Sequence, residues 1–212
     1  MRKFERGAAP ESLAKARRER KSWDQFAHTD AHKELRDRLY EAQGERCAYC
    51  ETNIKSSNGD INGHIEHLIR RNDAPEKTFD WNNLFFSCNH DESCGRYKDN
   101  PKNKITFNGE DIVDPSREKP SEFFTYDANG KIVERGDVSE TAKRRALETI
   151  RVFNLNLPKL QNARKMAAEI VANLFNHGLL NSEKEIDEFL TDQQNSPYLS
   201  VYYALCGREL EE

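Results

Sequence analysis

The four cysteines of "RCAYCE" and "SCNHDESCG" constrain this chain more than any other feature. Cys47 and Cys50 form a C-x2-C knuckle, and Cys88 and Cys94 form a wider pair that begins 38 residues after Cys50. Two residues between ligands let one tight turn present both sulfurs to one ion, and two such pairs supply the four thiolates of a tetrahedral Zn2+. Clustered thiols in a reducing compartment read as metal ligands rather than disulfides; the alternative is four buried, idle cysteines. Cys206 stands apart and reads as a small core residue.

Residues 45–100 are rich in Cys, His, Asn and Gly and have only short apolar runs, the composition of a small module fastened by metal. A helix leads into it. From Asp30, a candidate N-cap, Leu35, Leu39 and Ala42 recur at helical spacing until Gly44. The metal module is thus expected over 30–105. Residues 106–138 read as an irregular linker whose "DANGK" marks a hairpin turn. Helical stripes then fill 139–212: one starts at the Asp137/Glu140 spacing, one at Pro158, one at the capping box Ser182/Glu185, and one at Ser196-Pro197.

Charge is uneven along the chain. Its net charge is -4, yet residues 1–21 hold eight Lys/Arg against three Glu. Residues 181–212 hold two Lys/Arg against eight Asp/Glu. The basic start, residues 1–29, is expected to be a tail that orders on a partner. No apolar run approaches the ~20 residues that span a bilayer. The start carries charge without an apolar leader, so a cytoplasmic, membrane-free protein is expected.

Between the cysteine pairs lie "HIEHLIRR" and "WNNLFFSC", followed by "CGRYK". With "RCAYCE", these stretches resemble the HNH endonucleases of the ββα-metal type, built on a treble-clef zinc finger. The likeness is closest to the PtuB-like HNH component of Septu and retron anti-phage systems, and it covers residues 46–98 well. It implies an α+β fold, in which a treble-clef HNH module is flanked by an N-terminal helix and a C-terminal helical bundle. It also implies a divalent-metal nuclease partnered with an ABC-type ATPase of the SMC kind (PtuA-like), with a reverse transcriptase and its RNA-DNA product in the retron setting.

In that frame His67 is the general base that deprotonates water near neutral pH. Glu66 offers a hard oxygen to catalytic Mg2+ or Mn2+, which offsets charge on the phosphorane and the leaving oxygen. Asn83 would orient the backbone around His67 and fix its tautomer. Gly95 stands where the family carries a third His or Asn, so His90 is expected to be the missing metal ligand, with Asp91 in reserve. His64 reads as structural or at the substrate's edge. Arg70, Arg71 and Lys98 are candidate phosphate contacts. Two other functions use the same residues: a non-catalytic zinc module that binds nucleic acid or protein, and a toxin-like ribonuclease acting on RNA such as tRNA.

Overall fold

The computed structural model describes residues 1–55 and 59–210. At its centre, β1 (Gly63–His67) pairs antiparallel with β2 (Leu84–Cys88), in a register that sets Gly63 opposite Cys88 and His67 opposite Leu84. Every residue of β2 is buried, because helices cover both of its faces. One of them, α3 (Asp30–Ala42), turns Leu35 and Leu39 inward, both fully buried. Its cap is Thr29, one residue before the expected Asp30; the Thr29 hydroxyl accepts from the His32 N–H at 3.3 Å.

Just past α3, the buried Gln43 amide ties the helix to the sheet. Its Nε2 donates to the carbonyls of Arg46 (2.9 Å) and Phe86 (2.8 Å), and its Oε1 accepts from the Phe86 N–H (2.8 Å). With its backbone groups met in this way, the chain can enter the cysteine knuckle without leaving a buried polar group unpaired. The second covering helix is α4 (Cys94–Asp99), which completes a ββα unit with β1 and β2.

The first 29 residues differ from the expected tail. They contain α1 (Glu11–Arg18) and the short α2 (Trp23–Phe26), and they bury Phe4, Leu13, Ala16 and Phe26. The Arg6 guanidinium lies over the Phe85 ring at 4.1 Å and donates to the carbonyls of Trp81 and Leu84. The Met1 amino group is buried too, paired with Glu51 and 3.0 Å from the Tyr126 hydroxyl. The apolar residues interleaved with the charges explain the difference. They offer enough buried surface to hold this segment on the module.

Beyond the ββα unit, β3 (Phe124–Tyr126) and β4 (Ile132–Glu134) form the hairpin that "DANGK" predicts. Gly130 in its turn has φ +75°, and a Cβ there would lie 2.2 Å from the Gln161 carbonyl oxygen. Glycine is needed on both counts. The four C-terminal helices are present: α5 (Glu140–Val152), α6 (Pro158–Asn176), α7 (Glu183–Asp192) and α8 (Leu199–Leu205). Two boundaries shift: Ser139 caps α5 in place of Asp137, and α8 starts after Tyr198, past the Ser196 start. These helices roof the module as well as packing together. While α6 meets α8, α5 lies on β4 and α4. Phe153, at the end of α5, stacks on Tyr49 of the knuckle with ring centroids 3.8 Å apart.

Candidate metal centre and active site

Two sites share the β1–β2 frame. In the first, the Cys47, Cys50, Cys88 and Cys94 sulfurs are buried and lie within 4.8 Å of one another. The knuckle closes through the Glu51 N–H donating to the Cys47 carbonyl (3.1 Å), while Cys94 is delivered by the start of α4, at φ +56°. The Cys50 and Cys88 sulfurs are 3.9 Å apart and unbonded. A tetrahedron with Zn–S bonds of about 2.3 Å has edges of about 3.8 Å. The four thiols therefore fit zinc in number, chemistry and spacing, despite the five residues that separate Cys88 from Cys94.

The second site is an open cleft of about 550 Å³, floored by β1 and edged by α4. Glu66 and His67, neighbours in sequence, both line it. In a regular strand they would face opposite sides, but His67 is the last residue of β1, where the chain leaves the ladder. The His67 ring packs edge-on against Trp23, with centroids 4.3 Å apart. Its Nε2 lies 3.0 Å from the Thr78 carbonyl oxygen. A carbonyl only accepts, so Nε2 carries the proton and Nδ1 keeps a lone pair. Burial pulls the His67 pKa down to about 4, against the weaker upward pull of the Thr78 carbonyl, so the imidazole is neutral at pH 7.

Asn83 works one step further out than expected. Its Oδ1 accepts from the Ile69 N–H (2.7 Å), and its Nδ2 donates to the carbonyls of Ile69 (3.0 Å) and Lys77 (3.2 Å). It staples the backbone just after His67 to the segment that carries Thr78. The tautomer itself is set by Thr78, a residue that carried no signal in the sequence because its carbonyl, not its side chain, is used.

Glu66 is 1% exposed. Burial alone would raise its pKa, but the Lys98 ammonium at 2.8 Å holds it below the ordinary carboxylate value. It is an ionised carboxylate in the floor of the cleft. Lys98 is therefore no phosphate contact. Its side chain is fully buried, and its Nζ is taken by Glu66, the His67 carbonyl (2.9 Å) and Asp99 (2.6 Å). The basic character of "RYK" could not reveal this, since α4 turns the lysine under the strand. Arg70 lines the cleft but is bound to Asp99 at 3.0 Å and to the Lys98 carbonyl. Arg71 is exposed, 3.5 Å from Asp24.

The third position also needs correction. His90 does not line the Glu66 cleft; it lines a separate cavity with Cys88, Lys159 and Tyr198. Asp91, the reserve, is at the cleft's edge. Gly95 has a steric reason: a Cβ there would sit 2.4 Å from Glu66 Oε2, in the space that the carboxylate fills. A different histidine approaches Glu66. His64 Nε2 is 3.6 Å from Glu66 Oε2, and its Nδ1 is 3.0 Å from Asn89 Oδ1. Because that oxygen also accepts from Arg96, His64 places its proton on Nδ1 and turns an Nε2 lone pair toward Glu66. The i, i+2 spacing in a strand was the available signal.

No family model matches this chain. A curated relative does: the "Retron Vc95 putative HNH endonuclease" of Vibrio cholerae serotype O1 biovar El Tor is 32% identical over 139 residues. This chain is similar to an HNH endonuclease. The match takes in 64% of this chain, and the chain spans 63% of the length of that HNH relative. The HNH likeness read from "IEHLIRR" and "WNNLFFSC" thus agrees with an independent pairwise match and with the ββα unit that carries those stretches. Among the described residues, no helix is long and apolar enough to cross a membrane.

Proposed function

We propose that this chain is a metal-dependent HNH endonuclease that hydrolyses phosphodiester bonds of nucleic acid. The observation that carries the reading is the pairing, in one polar cleft, of a neutral His67 whose Nδ1 keeps its lone pair with an ionised Glu66 faced by a lone pair of His64. Glu66 Oε2 and His64 Nε2 would hold the catalytic divalent ion. Their 3.6 Å separation suits two donors that each bind at about 2.1 Å, and such an ion keeps waters and substrate oxygens as its other ligands. When bound, it offsets negative charge on the phosphorane and the leaving oxygen.

His67 Nδ1 takes a proton from the attacking water, whose oxygen bonds to phosphorus as the bond to the leaving oxygen breaks. Thr78 holds the opposite ring nitrogen, so the base faces the cleft throughout. Cys47, Cys50, Cys88 and Cys94 would bind structural Zn2+, and Arg70 and Arg71 would border the substrate backbone. The relative's name supports a retron setting, and the finer setting is carried by the resemblance of "IEHLIRR" and "WNNLFFSC" to PtuB-like proteins. We place the chain in the cytoplasm as the effector of a retron- or Septu-type defence complex with an ABC-type ATPase, together with a reverse transcriptase and its product in the retron case.

The test is cleavage of single-stranded DNA, duplex DNA and RNA by purified protein with Mg2+ or Mn2+, with and without the co-expressed ATPase. Cleavage lost in His67→Ala is the expected result. A zinc-loaded protein that cleaves none of the three under any of these conditions supports a non-catalytic binding module instead.

A further inference from the structure

Trp23 and Arg71 line not one cavity but two. Beyond the Glu66 cleft, a second hollow of about 450 Å³ opens between the end of α1 and the 75–79 segment, and Arg17, Arg20 and Lys21 border it. Trp23 is the partition: it packs on His67 on one side and on Phe79 at 5.8 Å on the other.

The exposed arginines divide sharply. Arg38, Arg71, Arg117, Arg144 and Arg151 are each ion-paired with a carboxylate. Arg17, Arg18, Arg20 and Arg96 have no ion pair among the described residues, and they stand at the end of α1 and on α4 at the cleft rim. A helix C-terminus attracts cations through its dipole, which is a sufficient reason for Arg17 and Arg18.

It is no reason for Arg20. The Arg20 N–H donates to the Arg17 carbonyl and the Lys21 N–H to the Ala16 carbonyl, the Schellman closure in which the penultimate residue is ordinarily glycine. Arg20 adopts φ +52° there. A long cationic side chain held in a backbone conformation that glycine would satisfy without strain points to a use other than stability.

We propose that this second hollow binds the phosphodiester backbone of a nucleic-acid strand next to the phosphate in the cleft, with α1 as a substrate-binding element. This extension rests on the nuclease reading. It also removes a difficulty with the net charge of -4. Attraction to a phosphate is set by charges within about 10 Å, so an acidic total is compatible with a local basic track. In that track Arg17 and Arg20 have no ion pair among the described residues, while Lys21 is shared with Glu19 at 2.9 Å and Glu76 lines the same hollow.

The test is fluorescence anisotropy with labelled single-stranded DNA, duplex DNA and RNA of equal length. Full-length His67→Ala protein is used, without added Mg2+ or Mn2+. Adding Arg20→Gly is expected to act in opposite directions. Thermal unfolding moves up by about 2–4 °C, while the slope of log K against log salt falls by about 0.7 for a single strand. Arg20→Gly with Lys21→Gln removes two contacts and lowers the slope by about 1.4, which is about 25-fold in affinity at 0.1 M salt if the curves meet at 1 M.

The polymer whose slope falls identifies the strand. Unchanged slopes with all three polymers overturn the proposal, as does unchanged nucleic-acid binding alongside lost co-purification with the ATPase, which would make α1 a protein contact. Wild-type protein that binds with this slope but never cleaves would sink the nuclease reading and leave the groove standing.

Discussion

The two sites on the β1–β2 frame are opposite solutions to placing polar groups inside a small module. The cysteine site is closed: four thiols converge, all are buried, and a zinc ion would satisfy them together. The cleft is open, and its charges are met singly, Glu66 by Lys98, Lys98 by Asp99, and Asp99 by Arg70. A closed site contributes to folding, because the unfolded chain lacks it. An open one leaves donors facing solvent for a substrate. The contrast predicts that damage to the first destroys the protein, whereas damage to the second destroys what the protein does.

The largest effect that tests this contrast is loss of the fold. Cys47→Ser or Cys88→Ser is expected to give insoluble or unfolded protein, because structural zinc supplies roughly 10 kcal/mol to such modules. Circular dichroism and zinc content of the soluble fraction decide the matter, and a folded, zinc-loaded variant would erase the distinction. Next, His67→Ala is expected to slow cleavage by about 10²–10⁴-fold with zinc content unchanged. Near-normal rates would remove His67 from the chemistry.

The third effect is on stability. The His67 pKa of about 4 lies below the ordinary 6.5, so in acid the unfolded chain takes up the proton first. Stability due to the neutral ring is fully present above pH 6.5 and is lost as the pH falls toward 4, on the order of 3 kcal/mol in all. Urea unfolding across that window should show a slope in the wild type that His67→Gln lacks. Equal slopes would mean that the ring titrates normally.

The smallest effect separates the histidines near the cleft. Asn89→Ala is expected to raise the Mn2+ needed for half-maximal cleavage by about tenfold, the scale of losing a group that orients a metal ligand. His64→Ala should raise it further, and His90→Ala should leave it unchanged. A response confined to His90→Ala would restore the ligand read from sequence.

What was legible in the sequence divides along the same line. The cysteine pairs, the "DANGK" hairpin and the helices around Leu35 and Leu160 depend on spacing within a few residues, and such local signals survive without coordinates. The cleft depends on which residues the fold brings together over long separations. Lys98 reads as a surface cation until α4 is placed under β1, and Thr78 contributes only a carbonyl. The i, i+2 spacing places His64 beside Glu66 on one strand face, whereas chain order past Asn83 points to His90 for the third ligand. The basic start hides its fold for a related reason: net charge does not register Phe4, Leu13 and Phe26, which hold it down.

The clash at Gly95 makes positions 66 and 95 a single unit of variation. A histidine at 95, the residue type that the HNH resemblance leads one to expect there, would not simply add a donor beside Glu66. It would displace the Glu66 carboxylate that already occupies that volume. The two arrangements exclude each other sterically, so a change from one to the other has to shorten or move residue 66 in the same step. Gly95→His alone should therefore be worse than Gly95→His combined with Glu66→Asp, a reversal of sign that additive substitutions do not give.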